Sequence, residues 1–133
     1  MKTEFIDALA EQLTFALSGQ PFAASERVAV YQQGGPKAGQ VTYSVDYPSG
    51  GSGNPQMVGV FVDVDVWAKG PDSAGAETIA AIIEKAVFGY SVNTENQGTV
   101  RMNGAFNRSY MGYEEEKLAH ITMRFSGRAF RRF

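Results

Sequence analysis

Two aspartates set two residues apart, one histidine and a run of arginines interleaved with phenylalanines are the residues of this chain that could do chemistry. Asp63 and Asp65 lie in VFVDVDVW, where valine alternates strictly with other residues, the signature of an extended strand. Side chains alternate between the faces of a strand, so both carboxylates point the same way and could form an acid pair or hold a cation. A metal site needs further ligands, and no Glu, Asp or His motif stands beside this pair at a ligand spacing. Two carboxylates facing solvent or a neighbouring subunit explain the pattern with no chemistry. His120, the sole histidine, sits in LAHITMRF on the strand face opposite Ile121 and Met123. A triad would need a serine and an acid that the sequence does not bring to it. No catalytic, cofactor-binding or metal-binding residue is assigned, and the chain is read as a non-enzyme without a cofactor. The absence of cysteine excludes disulfides, thiol nucleophiles and thiolate metal sites.

The C-terminal RFSGRAFRRF interleaves Arg124, Arg128, Arg131 and Arg132 with Phe125, Phe130 and Phe133. Arginines with aromatics grip nucleic acid through phosphates and stacking. They serve equally as an anchor on an acidic protein surface, and the bland alternative is a frayed tail. Charge is distributed to match an anchor. Residues 1–100 hold five Lys/Arg against eleven Asp/Glu, a net −6, while residues 101–133 hold seven against three, a net +4. Such a dipole suits an object that docks or stacks through oppositely charged surfaces. The expected interface residues are therefore Arg124, Arg128, Phe130, Arg131, Arg132 and Phe133, with Asp63 and Asp65 on the strand.

The elements that must position these residues follow from periodicity. Val58, Val60, Val62, Val64 and Val66 share one strand face, and Gly59, Phe61, Asp63, Asp65 and Trp67 share the other. After Gly70-Pro71 the period changes, and Ile79, Ile82, Ile83, Ala86 and Val87 mark one face of a helix that starts at Asp72 or Ser73 and ends at Gly89. The valine face and the isoleucine stripe are each the natural cover for the other. Upstream, Thr3 is placed to cap a helix running to about Ser18, with Ile6, Leu9, Leu13, Ala16 and Leu17 as its stripe and Phe5 at the margin. ERVAVY, residues 26–31, reads as a short strand. VTYSVDY, residues 41–47, reads as another, between the glycine-rich segments 32–40 and 48–56, which are expected to be mobile until a partner orders them. SVNTENQGT reads as a polar turn. Residues 99–111 and 117–130 form an antiparallel hairpin across GYEEE, with Glu114, Glu115 and Glu116 in a solvated turn.

At 133 residues these elements describe one domain, 1–133. The expected fold is α+β, a mainly antiparallel sheet with two helices packed on one face, in the order α-β-β-β-α-β-β. No run of about 18 apolar residues predicts a membrane span. The opening MKTEFIDALA is unlike a signal peptide, so the chain is expected on the cytoplasmic side of the cell that makes it.

In this layout VFVDVDVWAKGPDSAGAETIAAIIEKAV resembles the tail terminator (tail completion, or minor capsid) proteins of long-tailed bacteriophages, in which a valine-alternating strand ending in tryptophan precedes an alanine- and isoleucine-rich helix. The likeness covers nearly the whole chain in layout and brings no catalytic residue with it. It implies a structural virion protein at the head–tail junction, assembled in the host bacterial cytoplasm. Such proteins form a homo-oligomeric ring, generally a hexamer, that caps the finished tail tube and joins it to the head. The implied partners are the tail tube protein and a head-completion protein, with DNA passing through the ring without sequence-specific binding. The alternative from another class is a small-molecule-binding or enzymatic α+β domain with a pocket between helix and sheet.

Overall fold

The valine-alternating segment becomes β3 (Met57–Lys69), and it lies beside the last strand of the chain, β6 (Leu118–Phe130). The computed structural model describes residues 4–47, 57–70, 73–114 and 118–130. In chain order the elements are α1 (Phe5–Ala16), β1 (Ala23–Glu26), α2 (Arg27–Gln32), β2 (Gln40–Asp46), β3, α3 (Ser73–Val87), β4 (Ser91–Thr94), β5 (Gly98–Glu114) and β6. The six strands make one sheet in the order β1-β2-β3-β6-β5-β4, with every pairing antiparallel except β1 with β2. The fold is α+β in a single domain, as the sequence implies.

One face of the sheet is the core. Val60, Val62, Val64 and Val66 of β3 meet Ala119, Ile121, Met123 and Phe125 of β6 there, under Phe5, Leu9 and Leu13 of α1 and Ile79, Ile83 and Val87 of α3. The isoleucine stripe does cover the valines, with two shifts of detail. Ile82 and Ala86 stand half-buried at the margin, and Ala76 and Ala80 take the buried positions beside Ile79 and Ile83. A half-buried Val58 marks the end of the valine row. Gly89 ends α3 with φ of +72°, a conformation that costs glycine nothing and other residues strain.

The start of α1 differs from the expected cap. Thr3 lies outside the described residues, and Glu4, the residue before the helix, makes no capping bond to it. The free Phe5 N–H donates instead to Gln97 Oε1 at 2.9 Å, and Glu4 accepts from Asn96 and Gln97 at 2.6 and 3.1 Å. Orphan amides at a helix start need acceptors, and here the acceptor comes from the turn between β4 and β5. Phe5 is fully buried rather than marginal. SVNTENQGT is accordingly more than a turn, because residues 91–94 form an edge strand that pairs with residues 98–101. Four residues with one buried side chain leave too weak an alternation to read as a strand.

The segment ERVAVY is corrected from strand to helix. Its residues from Arg27 on form α2, and the strand is the preceding AASE. A strand would place Val28 and Val30 on one side, whereas the helix leaves Val28 58% exposed and Val30 4% exposed. The reason is topological. β1 and β2 run parallel, and parallel neighbours need a crossover rather than a tight turn. The chain therefore has three helices rather than two, with α1 and α3 sharing the core face. The glycine-rich segment after α2 is tied down at Gly39, whose N–H donates to the Trp67 carbonyl at 2.8 Å. The other glycine-rich segment, 48–56, lies outside the described residues.

Gly127 of β6 leaves no room for a side chain. A Cβ placed there would stand 2.5 Å from the Arg101 carbonyl oxygen and 2.6 Å from Met102 Sδ. Ile83→Ala should cost about 2–5 kcal/mol, the range for a large-to-small change in a filled core. Ile82→Ala at the margin should cost clearly less. Urea unfolding of both variants checks this, and equal losses would place the helix one residue further round.

Candidate functional site

The second face of the sheet collects the polar residues of β3 and β6. Register places Trp67 beside Gln40 and His120, Asp65 beside Thr42 and Thr122, and Asp63 beside Ser44 and Arg124. The aspartates lie on this face because the valines between them fill the core, so alternation leaves no other place for them.

Near the middle of this face four side chains satisfy one another. The Trp67 indole lies flat on the His120 imidazole, with centroids 3.7 Å apart and planes inclined by 13°. Trp67 Nε1 donates to Thr42 Oγ1 at 3.1 Å, and His120 Nε2 lies 2.8 Å from Asp65 Oδ1. An ionised carboxylate only accepts, so the imidazole carries its proton on Nε2 in this contact. Thr42 is fully buried, and Trp67 and Asp65 are nearly so. A buried carboxylate needs a hydrogen-bond partner, and His120 supplies one to Asp65.

One row along, Asp63 meets Arg124. Arg124 Nε lies 3.3 Å from Asp63 Oδ1, out of line for a hydrogen bond, and the guanidinium stands 4.4 Å above the Phe61 ring. Burial pushes the Asp63 carboxyl up from its ordinary value, and the charges of Asp65 and Asp46 push the same way. Arg124 first, then Arg27, oppose the rise without cancelling it. Arg27 opens α2, which packs against β1 and β2.

The expected interface residues thus divide. Asp63 and Arg124 come together, and Asp65 joins His120. Arg128 and Phe130 lie exposed at the far end of the same face, while Arg131, Arg132 and Phe133 fall outside the described residues. The Asp65–His120–Trp67 contact went unforeseen, because it joins residues 55 positions apart whose adjacency depends on β6 pairing with β3. The one available signal was parity, since all three fall on the polar alternation of their strands.

Among the described residues, open recesses line α2 at Arg27, Val28, Tyr31 and Gln32, and α1 at Ala10, Glu11, Thr14, Phe15 and Ser18. Neither is lined by His120 or by either aspartate. Among the described residues no group of three His, Asp or Glu is placed to hold a metal ion. Compared with known proteins, the sequence matches no family model and no curated protein.

A raised carboxyl pKa has a definite consequence for stability. Folding favours the protonated form of Asp63, so its contribution is fully present below the ordinary value of 3.8 and is lost as pH rises through the raised value. Asp63→Asn should therefore be as stable as the parent at pH 7 or more so, with the difference closing on acidification. Thermal melts at neutral and acid pH test this. A variant that is less stable at pH 7 and equal in acid would mean that Arg124 outweighs burial.

Proposed function

We propose that this chain is a structural virion protein of a long-tailed bacteriophage, which closes into a homo-oligomeric ring of six subunits, caps the finished tail tube and joins it to the head. The observation that carries this reading is the outer edge of β5. β4 covers β5 only at residues 98–101, and the backbones of Gly89 and Tyr90 bond Met102. From residue 103 to residue 114 β5 pairs with β6 on one side, and no described strand lies on the other. A long edge with free N–H and C=O groups is a liability for a solitary domain, and a neighbouring copy that covers it removes the liability. Further support comes from the strand-and-helix unit VFVDVDVWAKGPDSAGAETIAAIIEKAV that carries the phage resemblance, and from Phe15 and Phe88, which stand exposed on the helix layer. In this reading the tail tube protein and a head-completion protein are the axial partners. DNA passes through the ring without base-specific contacts, and assembly takes place in the host bacterial cytoplasm. The chain has no enzymatic role and carries no cofactor.

The His120–Asp65 contact favours a second reading, a small-molecule-binding or enzymatic domain, because an imidazole oriented by a carboxylate is a common proton-transfer unit. That reading needs a reacting group within reach of the imidazole, and the neighbours given above are Trp67 and Asp65.

Sedimentation velocity with negative-stain microscopy distinguishes the two readings. The expected result is a closed ring that halts the growth of unfinished tail tubes when added to them. A monomer at every concentration contradicts the ring.

A further inference from the structure

Beyond the end of β2, two rows of the second face run across β3, β6, β5 and β4. In the outer row Phe130 pairs with Met57 and Thr99, and Thr99 with Asn93. In the next row Arg128 pairs with Gly59 and Arg101, and Arg101 with Ser91. The chain neighbours Val100, Met102, Gly127 and Ala129 are all buried, so alternation sends both arginines to the second face, where both are exposed. Phe130 shares that face and stays 39% exposed, although a phenylalanine ring gains by burial.

Neither arginine has an ion-pair or hydrogen-bond partner through its side chain among the described residues. Gly59, Ser91, Asn93 and Thr99 carry no charge, and the Thr99 hydroxyl donates to Asn93 Oδ1 at 2.7 Å. The acids of the same face, Asp46, Asp63 and Asp65, stand further along β2 and β3, where Asp63 meets Arg124 and Asp65 meets His120. Gly59 and Ser91 are small and exposed, and a Cβ added at Gly59 would touch nothing.

The row therefore presents two guanidinium groups between low shoulders. Directly opposed residues of an antiparallel pair hold their Cβ atoms about 4.5–5.5 Å apart, so both groups can converge on one anionic group. The planar guanidinium fork matches phosphate oxygens. Two residues along a strand span about 6.6–6.8 Å, which sets the Phe130 ring next to the pair. An exposed ring beside a phosphate-binding pair is a platform on which an unpaired base stacks.

We propose that Arg101, Arg128 and Phe130 form a binding patch for single-stranded nucleic acid, with the arginines gripping a backbone phosphate and Phe130 stacking on the adjoining base. Phosphate and ring contacts read no base edge, so binding is independent of sequence. The inference goes beyond the ring reading and does not depend on it, because one subunit carries the whole patch. Duplex DNA is the less suitable occupant, since its bases stack on one another and leave Phe130 without a role. An acidic protein segment would satisfy the arginines but brings no base for the ring.

The test is fluorescence anisotropy of a labelled oligothymidylate titrated with the full chain. Two phosphate contacts on a single strand contribute about −1.4 to the slope of log affinity against log salt, a fall of about sevenfold between ~50 and ~200 mM. Arg101→Gln with Arg128→Gln should remove that contribution. Phe130→Ala should weaken binding about fivefold or more with the slope unchanged, and Phe130→Trp should retain it. All three positions are exposed, so thermal melts of the variants should match the parent, which separates lost binding from lost folding. A duplex of the same length should bind more weakly and show no response to Phe130→Ala. Affinity and slope unchanged in the double arginine variant, or a duplex held as tightly as the single strand, would overturn the proposal. Polyglutamate that displaces the oligonucleotide at equal charge would also overturn it, making the patch an anchor for acidic protein. Binding with these responses in protein that sediments only as a monomer would remove the ring and leave the patch standing.

Discussion

The pairing of β3 with β6, continuous from Met57 with Phe130 to Lys69 with Leu118, is the constraint on which the rest of the molecule depends. Because both strands alternate in the same phase, one register commits two faces at once. The valines of β3 and the Ala119, Ile121, Met123 and Phe125 set of β6 enter the core together. A slip of β3 by one residue would exchange its faces, exposing the valines and driving Asp63 and Asp65 under the helices. Burying two charges without partners costs more than a domain's net stability can absorb. The hydrophobic pattern and the charges therefore specify the same register from opposite sides.

The second face shows how the remaining polar groups are accommodated once that register is set. Asp65 is only 8% exposed, yet it is matched by His120, which is in turn held flat by Trp67 and, through the indole, by Thr42. The chain of contacts spans β2, β3 and β6 and reads as cross-bracing between neighbouring strands. Asp63 has a looser fit with Arg124, and burial dominates its titration. At the far end of the same face Arg101 and Arg128 are exposed register partners on β5 and β6.

Much of this architecture was legible in the residues. The period-two runs at 58–67 and 118–130 and the period-3.6 run at 79–87 are long segments whose alternation matches their burial. Short elements were the ones misread. ERVAVY has the β-branched composition of a strand, but its conformation is set by the need to cross between two parallel strands, which is a property of the sheet and not of six residues. β4 depends likewise on the tertiary pairing of residues 91–94 with β5. The Asp63–Arg124 and Asp65–His120 contacts needed the strand order β3-β6.

What unites these features is the outer edge of β5. Along β5 from residue 103 to residue 114 the inner side is paired with β6 and the outer side carries no described strand, and assembly of this chain is the reading in which that edge is covered. Hydrogen exchange followed by mass spectrometry, with the full chain measured at high concentration and again after dilution, probes those amides directly. Outward-facing amides of residues 103–114 should exchange quickly in dilute protein and slow markedly at high concentration, while the β3–β6 amides stay protected throughout. Exchange across 103–114 that is equally fast at both concentrations, in protein shown by sedimentation to be assembled, would contradict a covered edge.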